Sequence, residues 1–206
     1  MPRGKVTAKD KLLDAALSVI RAKGYSATTV DDLCAAAGVT KGAFFHYFDS
    51  KDALAVAAAE HWSATTGALF RAAPYHDHAD PLDRVLGYVD FRRSLLVGQV
   101  PEFTCLVGTM VQEAYGSHPS IQAACEASIF GHAATLEADI AEAMAARGVD
   151  ATDWTPASLA AHTQAVLQGA FVLAKAKGGP AIAIESVDHL RRYIELLFGQ
   201  AKGKAA

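Results

Sequence analysis

Thr28, Thr29, Thr40, Lys41, His46, Tyr47 and Lys51 bring hydroxyl, ammonium, imidazole and phenol groups into one short stretch that also holds Gly42, Ala43 and Phe45. These groups donate hydrogen bonds to anionic oxygen, and donors of this type hold a phosphate backbone in register. Small Gly42 and Ala43 beside them leave room for base edges to come close to a helix. The chemistry expected is recognition of a polyanion, with no bond made or broken. Elsewhere the chain has no GxSxG, HExxH or CxxC motif and no phosphate-cradling glycine loop. His61, His132, His162 and His189 are scattered with no evident nucleophile beside them. His76 and His78 flank Asp77 in a loop, where solvent exposure is the expected state. No catalysis, no cofactor and no metal are therefore expected. An all-helical enzyme and a protein-interaction module without DNA binding stand as the alternatives.

Three short helices have to position the polar group. Leu12, Leu13, Ala16, Leu17 and Ile20 form one apolar stripe at helical spacing across residues 7–23, and Gly24 follows the last turn. A second helix begins at Thr28 or Thr29, because either hydroxyl is followed three residues later by an acid, Asp31 or Asp32. Val30, Leu33 and Cys34 give it a buried side, and Gly38 ends it. Thr40 caps a third helix over Lys41–Phe48, in which Phe44 and Phe48, four apart, face inward. Lys41, Gly42, Ala43, Phe45, His46 and Tyr47 are left for the outside or the rim. Helix, glycine-containing turn and short helix make the helix-turn-helix plan, whose second helix enters a major groove. Lys51 opens the next helix, where its charge and the free amides together suit a phosphate. A purely structural three-helix unit with solvated lysines fits the bare pattern as well.

Charge is divided along the chain. The whole carries −3, yet residues 1–51 hold eight Lys/Arg against five Asp, a net +3. The remainder holds 11 against 17, a net −6. A basic head on an acidic body suits a polyanion at one end.

The run TTVDDLCAAAGVTKGAFFHYFDSKDAL resembles the DNA-binding signature of the TetR/AcrR family of transcriptional repressors: the glycine turn, the KGxFxHYF helix and the SK pair all stand in place. The likeness covers residues 7–55. Phe45 departs from it, standing where tyrosine is frequent, so one hydroxyl contact is lost while the ring remains. The resemblance implies an all-α fold of about nine helices. A helix-turn-helix DNA-binding domain would occupy residues 1–50 and an effector-binding and dimerisation domain residues 51–206. It further implies a homodimer on palindromic operator DNA, released by a small-molecule or reactive-electrophile signal.

The body fits that plan. A long fourth helix is expected from Lys51 to about Ala73, then helices over residues 82–100, 102–115, 120–147, 156–177 and 181–200. No apolar run reaches membrane-spanning length and no signal peptide is evident, so a cytoplasmic location is expected. The last two helices have more than one apolar face, and the resemblance assigns a dimer interface to Val166, Leu167, Phe171, Leu190, Tyr193, Ile194 and Leu197. It also implies an effector pocket among the middle helices. Trp62, Phe70, Phe91, Phe103, Cys105, Met110, Tyr115, Phe130, Phe171 and Lys175 are the candidates, although residues of these types more often serve as ordinary core. Three unevenly spaced cysteines, Cys34, Cys105 and Cys125, make no disulfide framework. Cys105, early in its helix, resembles the sensing position of a subgroup of the family, with Thr104 where that motif has glycine. A thiolate is stabilised at a helix N-terminus.

Overall fold

A computed structural model describes residues 6–199. The expected basic residues Arg3 and Lys5, and the end of the last helix and the tail from Gln200, lie outside the described residues. Within them the chain is all helical: ten helices exceed a single turn, and no strand occurs. In chain order these are α1 (Ala8–Lys23), α2 (Val30–Ala37), α3 (Lys41–Tyr47), α4 (Lys51–Arg71), α5 (Pro81–Ser94), the single turn α6 (Val100–Phe103), α7 (Leu106–Ala114), α8 (Pro119–Ala134), α9 (Glu137–Arg147), α10 (Pro156–Lys177) and α11 (Ala181–Leu197). A 3-10 turn, Pro74–Asp77, follows α4.

Local chemistry sets the helix starts. Thr7 and Asp10 form a reciprocal capping box on α1, as do Thr29 and Asp32 on α2. Asp32 also receives Lys23 Nζ at 2.6 Å. These hydrogen bonds, from Lys23 first and then Thr29, hold the Asp32 carboxyl well below the usual range. Gly38 ends α2 in the left-handed region (φ 63°, ψ 40°), its N–H reaching back to Ala35 and Cys34 carbonyls. A side chain there would be strained, so the glycine makes the turn between α2 and α3.

Three expected helices break where local caps compete with the ladder. The segment expected over 102–115 divides at Thr104 and Cys105. Cys105 is extended (φ −81°, ψ 128°), its Sγ accepts the Gly108 N–H at 3.4 Å, and Thr109 Oγ1 donates to its carbonyl at 2.8 Å. The segment expected over 120–147 divides at Thr135 and Leu136, whose N–H groups bond three residues back while Thr135 Oγ1 also holds the His132 carbonyl. The helix expected to reach Val100 ends at Ser94, whose hydroxyl bonds the Phe91 carbonyl.

Two compact units emerge. The first contains the chain as far as Gly67 together with Thr104–Ile129. Its core joins Leu12, Ile20, Leu33, Phe44 and Leu54 to Leu106, Met110 and Ile121. Full burial of side chains of this size contributes about 1.5–3 kcal/mol each. The second unit contains Ala68–Phe103 and the chain from Phe130 onward. In it α5 packs on α9 and α11, and α10 packs on α9 and α11. No helix among the described residues is long and apolar enough to cross a membrane.

Candidate nucleic-acid interface

α3 has one face in and one face out. Phe44 is fully buried and Phe48 nearly so, their rings 5.9 Å apart. Lys41, Gly42, Phe45, His46 and Tyr47 are exposed, Ala43 is half-buried, and Phe45 still shows 54% of its surface. Thr40 starts the helix in an extended conformation, its Oγ1 accepting the Ala43 N–H at 3.2 Å. His46 and Tyr47 sit edge to face at 4.8 Å, both on the exposed side. Lys41 pairs with Asp31 at 2.7 Å on the open surface, a contact that raises its pKa and that solvent screens. The ammonium can exchange this partner for another anion. At Gly42 an added Cβ would meet nothing closer than Thr40 Oγ1 at 3.7 Å. The protein itself has room for a side chain there, so the missing one leaves space only on the outside.

Three of the residues expected to touch nucleic acid have partners within the protein. Thr28 is buried, and its hydroxyl donates to the Gly24 carbonyl at 2.6 Å. Thr29, which stays exposed, is the cap of α2. Lys51 is half-buried, its Nζ donating to the Tyr25 and Thr28 carbonyls at 3.1 and 3.0 Å and lying 4.2 Å from the centre of the Tyr25 ring. These contacts tie it to the loop between α1 and α2.

That loop is also tied to residues far along the chain. The Tyr25 hydroxyl donates to Asp52 in a short hydrogen bond, and burial followed by this carboxylate pushes the phenol pKa well up. His118, just before α8, meets the Tyr25 ring edge on at 5.4 Å. Glu113 of α7 accepts the Ser26 N–H at 2.7 Å. None of these partners shares a periodic pattern with the loop, and no local signal in the sequence could have revealed them.

The residues expected to line an effector pocket scatter. Phe70 and Phe91 meet at 5.3 Å, and Phe103 and Phe171 at 6.5 Å, all within the second unit. Met110 is fully buried in the first unit's core, whereas Tyr115 and Phe130 are exposed. Trp62 is half-buried beneath Arg21. Cys105 and Lys175 belong to different units. Cys34 and Cys125 are buried, and burial raises both thiol pKa values, that of Cys125 to about 12. Cys105 is half-buried at the α7 cap. In the 3-10 turn the His76 ring lies on Tyr75, and its Nε2 bonds the Phe70 carbonyl at 3.0 Å.

Of the residues expected at a dimer interface, Leu167, Phe171, Leu190 and Ile194 are buried within the protomer. Val166 and Leu197 are half-buried, and Tyr193 is exposed. The apolar side chains that α10 and α11 leave exposed are Val172, Leu173, Tyr193 and Leu196. Helical periodicity identified apolar helices but not which apolar side faces outward.

An all-helical chain with a glycine-turned helix pair and an open second helix belongs to the class of helix-turn-helix regulators. Residues 12–58 match the family model for bacterial regulatory proteins of the TetR family. Residues 81–182 match the C-terminal domain of LmrA/YxaF-like transcriptional regulators. The chain belongs to the TetR/AcrR family of transcriptional regulators. Its head is 41% identical over 51 residues to the repressor KstR2 of Rhodococcus jostii, a match covering 25% of each protein. It is 37% identical over 46 residues to the biofilm-operon regulator IcaR of Staphylococcus aureus, where it covers 25% of that relative. The matches thus span about a quarter of these curated relatives. Along the whole chain, the regulatory protein TetR from Rhodobacter sphaeroides has the same fold, with a TM-score of 0.76 at 26% identity over 90% of this chain and 98% of that one. CifR, solved as a cysteine mutant complexed with 26bp double-strand operator DNA, shares the fold at TM-score 0.74 and 19% identity, covering 93% of this chain and 98% of that one.

Proposed function

We propose that this chain is a transcriptional repressor that acts as a homodimer on a palindromic operator and is released by a small-molecule effector. The observation that carries the reading is α3. Its aromatic pair is spent on the core, and Lys41, Gly42, Phe45, His46 and Tyr47 are left facing out. Lys41, Thr40 and the His46–Tyr47 tips suit phosphates, while Gly42 and the Phe45 ring suit the groove floor and a thymine methyl group. Residues 1–50 read the DNA, residues 51–206 carry effector and dimer functions, and the protein works in the cytoplasm. No catalytic step is part of this reading.

The exposed apolar residues of α10 and α11 supply the dimer contact, because two heads reading a symmetric site need a twofold partner. Release follows if the effector binds one arrangement of α7 better than another. Glu113 and His118 tie this part of the first unit to the α1–α2 loop. A second signal, a reactive electrophile, is favoured by one observation: Cys105 is half-buried at the start of α7, and its Sγ accepts the Gly108 N–H. Retardation of DNA from upstream of the chain's own gene tests the proposal. Specific binding that weakens steeply with salt is expected, and equal affinity for unrelated DNA would contradict it.

A further inference from the structure

A polar group in the second unit stands outside the helix-turn-helix. The Tyr88 side chain is 1% exposed, and three nitrogens surround its hydroxyl: Arg92 Nε at 2.9 Å, His132 Nε2 at 3.0 Å and Gln164 Nε2 at 3.1 Å. A phenol donates one hydrogen bond and accepts two. Arg92 and Gln164 are donors, so they fill the two acceptor positions. The Tyr88 proton must then go to His132 Nε2, which makes His132 neutral with its proton on Nδ1. Burial, followed by the charge of Arg92, lowers the His132 pKa to about 3 in agreement. The group therefore carries one positive charge, on Arg92.

That charge has no counter-ion among the described residues. Arg84 holds Asp139, Arg93 holds Asp188, Arg147 holds Asp80 and Arg191 holds Asp90. No carboxylate pairs with Arg92 among the described residues. It is half-buried, lies 4.3 Å over the Phe70 ring and 5.5 Å from the Tyr88 ring centre, and spends only Nε on Tyr88. A partly desolvated guanidinium without an anion is costly to maintain. Its terminal N–H pair forms the planar fork that matches a carboxylate. The fork is held rigid by the saturated Tyr88 hydroxyl and by two aromatic faces.

We propose that Arg92, oriented by Tyr88, Gln164 and His132, is the receptor for the carboxylate of a small organic acid whose apolar body rests on the half-buried Phe91 ring. The acid supplies the missing negative charge, and Phe91, backed by the buried Phe70 ring at 5.3 Å, supplies the aromatic contact. This identifies the chemical class of the effector and rests on the reading of the chain as an effector-controlled regulator.

Titration of the full-length, nitrogen-labelled protein without DNA tests it, with benzoate and octanoate set against their neutral amides. The arginine Nε–H resonance that disappears in Arg92→Gln is the reporter. At least one acid should move that resonance, bind roughly tenfold tighter than its amide, and lose at least that factor in Arg92→Gln. If Arg92→Gln does not fold, Arg92→Lys serves: it should keep the preference for acid over amide with weaker binding. Amides binding as well as acids, full affinity in the variants, or no acid moving the resonance would each overturn the proposal. DNA retention in the presence of the bound acid is measured separately. Unchanged retention would count against effector release and not against the anion site.

Discussion

Glu113 Oε2 accepts the Ser26 backbone N–H at 2.7 Å, joining α7 to the α1–α2 loop across 87 residues of sequence. Gly24 sits under the same carboxylate at φ 88°, and a Cβ there would collide with it. The loop geometry and the acid therefore fit as one unit. Glu113→Ala should lower stability by about 1 kcal/mol, the net worth of one such bond at an exposed position. Gly24→Ala should cost more, because it adds backbone strain to the collision. Urea midpoints of both single variants and the double variant check this. The double variant should lose less than the two singles together.

Lys51 is a lock on the loop. Its ammonium bonds two backbone carbonyls and covers the Tyr25 ring, so Lys51→Met should destabilise the protein by about 1.5–3 kcal/mol. The slope of log affinity for DNA against log salt should stay unchanged, since no phosphate contact is removed. A flatter slope without loss of stability would return Lys51 to the DNA surface.

His132 gives the fold an acid limb. Its folded pKa of about 3 lies below the ordinary value of 6.5. Between the two the unfolded chain holds a proton that the folded chain does not, so stability is complete above the upper value and falls as pH drops through the window. The limiting slope from this one group is roughly 1.4 kcal/mol per pH unit. Denaturant titrations at stepped pH should show a flatter acid limb for His132→Gln than for the parent protein.

The dimer surface is testable without touching the core. Leu173 and Leu196 are exposed, at 48% and 62%, so glutamate at both positions leaves each protomer's packing intact. Light scattering should find a dimer for the parent protein and a monomer for the doubly substituted one. The doubly substituted protein should also bind the operator much more weakly, because each head loses its partner.

The outward face of α3 was legible because its signals are local. Thr40, Gly38 and the Phe44, Phe48 spacing lie within a dozen residues and fix which side of α3 turns outward. The same reasoning placed Thr28 and Lys51 on the DNA surface. Their partners within the protein, the Gly24, Tyr25 and Thr28 carbonyls, were not legible, being backbone atoms that residue types do not advertise. Breaks at Thr104–Cys105 and Thr135–Leu136 were hidden for a related reason: side-chain caps made by threonine and cysteine, with no glycine or proline to mark them. His132 read as a stray histidine, since Tyr88 and Gln164, which give it meaning, lie 44 residues before it and 32 after it in the numbering. For α10 and α11 the apolar stripes were visible, but buried Leu190 and exposed Leu196 look alike until a neighbouring helix is in place.

Gly42→Gln tests the central claim most directly, since it should move stability and binding in opposite directions. In isolation the change favours α3 by about 0.5–1 kcal/mol, and the site has room for the side chain. Fluorescence anisotropy on DNA from the gene's own upstream region should nevertheless show at least roughly tenfold weaker specific binding, the loss of one close groove contact. A variant that melts higher and still binds that DNA as tightly as the parent protein would contradict the placement of α3 in the groove.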